Sequence, residues 1–123
     1  MAEVQIIQSF INLETKRDVI KLHLFSKLLE KGIPTYPSEL DILIELYFRK
    51  GYHSKEEMED LYEFCLKHKL RASRQSFNNA ITKFVNAGVI KKLGVCKREI
   101  NKDFVPHINS DYIGLNYKVV NAK

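Results

Sequence analysis

At 123 residues, 45% hydrophobic and 28% charged, the chain has the size and make-up of one soluble globular domain with a single core. Only 5 Gly and 3 Pro exclude a loop-dominated fold, and no stretch approaches the roughly 20 apolar residues of a membrane span, so no membrane association is expected. The formal charge is only +5, but it is unevenly spread along the chain.

Residues 1–14 are predicted as an N-terminal arm or strand. Val4, Ile6, Ile7, Phe10, Ile11 and Leu13 fit neither strict alternation nor a helical stripe. Such an apolar arm either packs on its own domain or joins a partner, or a second copy, through residues 3–13 by strand addition. Thr15 and Asp18 are spaced as a capping box. The helix they open is expected to bury Val19, Ile20, Leu22, Phe25, Leu28 and Leu29 and to stop at Gly32.

Ser38 and Asp41 repeat the box, and a second helix over about 39–50 turns Leu40, Leu43, Ile44, Tyr47 and Phe48 inward before Gly51. Ser54 and Glu57 open a third helix reaching about Leu70, with Met58, Leu61, Tyr62, Cys65 and Leu66 at spacings of three and four. Its acids come early (Glu56, Glu57, Glu59, Asp60) and its cations late (Lys67, Lys69), as the helix dipole prefers. Ser73 caps a fourth helix with the apolar stripe Phe77, Ala80, Ile81, Phe84, Val85, and Gly88 closes it. Two strands follow, about 89–100 and 112–120, joined by a turn-rich tip over 101–111. The expected fold class is mainly α with a C-terminal β-hairpin (α+β), in one domain spanning 15–123.

From Phe64 to Arg98 there is no Asp or Glu and there are nine Lys or Arg, which leaves the remainder of the chain at −4. The fourth helix lies inside this window. Opposite its apolar stripe it carries Gln75, Asn78, Asn79, Thr82 and Asn86. In a major groove, Asn and Gln can make paired hydrogen bonds to adenine and Thr can touch the thymine methyl, so these five are the candidate base readers. Lys69, Arg71, Arg74, Lys83, Lys91, Lys92, Lys97, Arg98 and Lys102 are the candidate phosphate contacts, the source of most affinity in such complexes. The competing reading is a merely solvated helix face.

Leu40–Leu46, the helix from Ser54, and the run Ser73–Lys92 with its Ala-Gly-Val-Ile-Lys-Lys close resemble the winged helix-turn-helix domain. The likeness is to MarR-like regulators and to the winged helices of plasmid and phage replication initiators, over about 38–120. It implies a recognition helix at about 74–87 and a wing at about 89–120, with Lys97, Arg98 and Lys102 as wing cations. It further implies a helix from Ser54 lying across the DNA backbone. The four acids in the first turns of that helix, and a wing without Asp-x-Arg, depart from the MarR-like pattern.

His23, His53, His68 and His107 have no ligand spacing, Cys65 and Cys96 form no metal-binding pair, and there is no Gly-rich phosphate loop. The expectation is a non-enzymatic protein with no cofactor and no metal. It would bind double-stranded DNA in a bacterial cytoplasm, encoded by the cell or by a phage. The alternative is a structural or adaptor protein, such as a virion or assembly component, that uses the same fold for protein contacts.

Overall fold

The computed structural model describes residues 16–105 together with the backbone of 107–109 and 112–114. The arm at 1–14, its association through residues 3–13 and the Thr15 cap lie outside the described residues. Four helices come first: α1 (Lys16–Glu30), α2 (Pro37–Phe48), α3 (Lys55–Lys67) and α4 (Arg74–Asn86). Strands β1 (Ile90–Gly94) and β2 (Lys97–Ile100) form an antiparallel hairpin, followed by a 3-10 turn, Lys102–Phe104. A second small hairpin pairs β3 (His107–Asn109) with β4 (Tyr112–Gly114). The protein is therefore mainly helical with antiparallel hairpins toward its C-terminal end, an α+β arrangement.

The hairpin differs from the predicted pairing of 89–100 with 112–120. The first run folds back on itself, with Ile90 opposite Ile100, Lys91 opposite Glu99, Lys92 opposite Arg98 and Gly94 opposite Lys97. The reversal falls at Val95–Cys96, and Cys96 adopts the left-handed φ of 54°. Gly94 inside a strand-like pattern marks the break. The apolar Val95 and Cys96 disguise the turn, because turns ordinarily carry small polar residues. Lys102 is thus not at a wing tip. It follows the base of the hairpin, where Asn101 is bonded to the Val89 and Gly88 carbonyls.

α2 is the central helix. Leu40, Ile42, Leu43, Ile44 and Leu46 are all buried, so its apolar surface runs most of the way round. Ile20, Leu24 and Leu28 of α1, Leu61 and Cys65 of α3, and Phe77, Ala80, Ile81 and Phe84 of α4 complete the core with Tyr52, Val89, Ile90 and Phe104. α1 is rotated from expectation. It buries Ile20, His23, Leu24 and Leu28, and leaves Phe25 40% and Leu29 63% exposed. Two apolar stripes one position apart compete on this helix, and packing selects the β-branched Ile20 side.

Ser54 Oγ accepts from the Glu57 amide and Ser73 Oγ from the Ser76 amide, both at 3.1 Å, as their capping positions predict. α2 is capped differently from the Ser38–Asp41 box. Pro37 supplies the first helical residue, and Glu39 reaches back to accept from the Tyr36 amide at 2.9 Å. α3 ends at Lys67, short of Leu70. With no glycine there, Lys69 takes φ 57° so that the Leu70 amide can reach the Cys65 carbonyl at 2.8 Å.

Candidate nucleic-acid interface

α4 is held by Phe77 and Phe84, each 1% exposed, with Ala80 and Ile81 between them. That orientation leaves Gln75, Asn78, Asn79, Thr82 and Asn86 all in solvent. Gln75 Nε2 donates to Asn79 Oδ1 at 2.9 Å, one turn on, so these two amides are oriented by each other. A two-residue turn at Ala87–Gly88 then delivers the chain into the core at Val89, whose amide bonds the Phe84 carbonyl at 2.9 Å.

The hairpin is tied into the same body. Tyr52, between α2 and α3, exchanges two backbone hydrogen bonds with Arg98 of β2, each 2.9 Å. Gly51 makes this approach feasible: its φ is 84°, and a Cβ there would sit 2.3 Å from the Arg98 carbonyl oxygen. His53 Nε2 adds a 2.5 Å contact to Glu99 Oε2, and Nδ1 lies 3.7 Å from Glu57. The Glu99 hydrogen bond, joined by the charges of Glu99 and Glu57, outweighs desolvation and raises the His53 pKa.

The nine predicted phosphate contacts divide into two groups. Lys69, Lys91, Lys92, Lys97 and Lys102 are exposed and form no ion pair among the described residues. The other four are engaged within the fold. Arg74 makes a two-bond fork to Glu59 at 2.5 and 2.7 Å, with its guanidinium 4.3 Å from the Tyr62 ring centre. Lys83 Nζ donates to Glu39 Oε1 at 2.7 Å, and Arg71 Nη2 lies 3.1 Å from Glu39 Oε2. Arg98 Nη1 donates to the Gly94 and Lys97 carbonyls at 2.8 and 2.9 Å, bracing the hairpin turn.

Glu39 is the residue that sequence reasoning missed. It is 5% exposed, and burial by itself would push its carboxyl pKa up. The Lys83 hydrogen bond, the Tyr36 amide and the charges of Lys83 and Arg71 outweigh burial and hold the pKa below the ordinary value. Its position three residues after Tyr36 signals a helix-start acid; nothing local announces partners on α4. With Arg71, Ser73, Gln75, Ser76, Asn79 and Lys83 it lines an open polar depression of about 410 Å³ beside the first turns of α4.

Among the described residues no group of three or more His, Cys, Asp or Glu is placed to hold a metal ion. No helix among them is long and apolar enough to cross a membrane. No protein-family model, no curated protein and no solved structure matches the chain.

Proposed function

We propose that this is a small DNA-binding protein built as a winged helix-turn-helix. α4 reads the major groove through Gln75, Asn78, Asn79, Thr82 and Asn86, and the β1–β2 hairpin serves as the wing. It acts by occupancy, without a cofactor, in transcription control or in phage or plasmid replication. The observation that carries this reading is the solvent face of α4: five amide or hydroxyl side chains, no acid, and exposed unpaired lysines at 69, 91 and 92 beyond its two ends. The Tyr52–Arg98 bridge adds support, because a helix and a wing must keep a fixed spacing to address one duplex. Lys69, Lys91, Lys92, Lys97 and Lys102 are the cations free to meet phosphate, and Arg71, Arg74, Lys83 and Arg98 hold the reading surface in shape.

The test is fluorescence anisotropy with labelled A·T-rich and mixed duplexes. Asn79→Ala should weaken binding to a preferred sequence by roughly tenfold, the worth of about one good base contact, and leave binding to random DNA nearly unchanged. Equal loss on both would remove Asn79 from base reading.

A second reading has its own observation. Glu56, Asp60 and Glu63 lie exposed at spacings of four and three on α3, and Leu66 beside them is 38% exposed. An acidic ridge repels DNA and suits a basic protein, so the adaptor reading predicts a partner held on α3. Loss of assembly on charge reversal of this ridge, with no DNA binding at low salt, would favour it.

A further inference from the structure

The hairpin turn exposes apolar side chains at a place that solvation alone does not favour. Val95 is 88% exposed and Leu93 is 53% exposed. The strand pairing slips between Lys92 and Gly94, so Leu93 stands outside the regular ladder, two residues before Val95. This tip is braced. Arg98 Nη1 bonds the carbonyls on both sides of the turn, and the Arg98 backbone is fixed to Tyr52. Lys92 and Lys97 flank it on the two strands, both exposed, and Lys91 follows one position further from the turn, opposite Glu99.

A rigid apolar point flanked by cations is complementary to an anionic polymer whose apolar interior opens onto a groove, which describes stacked bases behind phosphates. Five residues of β1, at about 3.3 Å each, give the strand a length of roughly 16 Å. Half a turn of duplex DNA, the distance from a major groove to the next minor groove, is about 17 Å, so a hairpin of this length is on the scale of one groove-to-groove step.

We propose that Val95, assisted by Leu93, is a wedge that enters the minor groove beside the α4 site, partly unstacks one base step and bends the duplex. Pyrimidine–purine steps, the easiest to unstack, are the expected point of entry. This inference rests on the DNA-binding reading and adds a deformation to it: the tip supplies specificity through the cost of opening a step, without a hydrogen bond to any base.

The experiment uses the full chain with duplexes carrying 2-aminopurine at a single T–A step and a donor–acceptor dye pair at the ends. Binding is followed separately by anisotropy. Wild type is expected to raise 2-aminopurine emission several-fold and to shorten the end-to-end distance. Leu93→Ser with Val95→Ser, both at exposed positions, should abolish the emission rise and the shortening while weakening binding less than tenfold. Tight binding by wild type with no rise at any step overturns the wedge and leaves the DNA reading standing. Absence of DNA binding overturns both. Binding of wild type, but not of the double variant, to phosphatidylserine vesicles, with equal DNA binding by the two, assigns the tip to a lipid surface and also overturns the wedge.

Discussion

Glu39 is met from three parts of the chain: the Tyr36 amide and Lys83 of α4 donate hydrogen bonds to it, and Arg71 of the loop before α4 forms an ion pair with it. Removing one partner from a buried charge set leaves the others uncompensated, so Glu39→Gln should destabilise the fold by about 3 kcal/mol in urea titration. Because the folded pKa of Glu39 is lowered, its contribution is present above the unfolded value and is lost as pH falls through the folded one. Two histidines act in opposite directions nearer neutrality. His53 has a raised folded pKa, so its stabilisation is complete below the unfolded value of 6.5 and disappears as pH rises through the folded value. His23 is buried, with Nε2 unpartnered, and burial followed by the Lys27 charge lowers its pKa. Folding with a neutral His23 therefore loses stability as pH falls below 6.5. Urea midpoints measured between about pH 5.5 and 7.5 should lose the alkaline-side decline in His53→Gln and the acid-side decline in His23→Leu. An alkaline limb unchanged by His53→Gln would mean that the contacts with Glu57 and Glu99 do not form in solution.

At the scale of elements, the contact between Gly51 and β2 separates two kinds of glycine. Gly51→Ala places a Cβ 2.3 Å from the Arg98 carbonyl oxygen as well as straining a φ of 84°, so the hairpin must shift. Gly32→Ala meets nothing within 4 Å and bears only the strain of φ 68°. The expected losses are about 3 kcal/mol at Gly51 and about 1 kcal/mol at Gly32, read from thermal melts. Amide exchange at Tyr52 and Arg98 should rise in the first variant alone. These elements differ in how far the sequence discloses them. The Ser54 and Ser73 caps and the fourth-helix stripe were legible because each is decided within four residues. The face of α1 was not, since Leu22, Phe25 and Leu29 form as good a stripe as Ile20, Leu24 and Leu28, and only packing against α2 chooses. The turn at Val95–Cys96 was hidden by its apolar residues. The pairings of Lys83 with Glu39, 44 residues apart, and of Arg74 with Glu59 leave no local trace, so both cations of α4 read as free when neither is.

At the scale of the molecule, the acid-free window is acid-free only along the chain. Folding brings Glu39 and Glu59 to Arg71, Lys83 and Arg74, and leaves Lys67, Lys69, Lys91, Lys92 and Lys97 of the window without an ion pair among the described residues. If the hairpin lysines meet phosphate, Lys91→Ala with Lys92→Ala should lower affinity on every sequence and reduce the slope of log K against log salt by about 2. An unchanged slope would take them out of the interface. Arg74→Ala should instead lower the melting temperature with little change in that slope, because its charge is already met by Glu59. The Tyr52–Arg98 strand bridge also bears on how the protein is made. It and the neighbouring His53–Glu99 contact, 46 residues apart, close a loop containing all of α3, α4 and β1. Pairings at such separation form late, after local helices. On the ribosome, then, α4 can be helical while the hairpin is still being synthesised, yet the combined surface cannot exist until residue 98 has cleared the exit tunnel. A nascent chain stalled before that point would carry α4 without the hairpin.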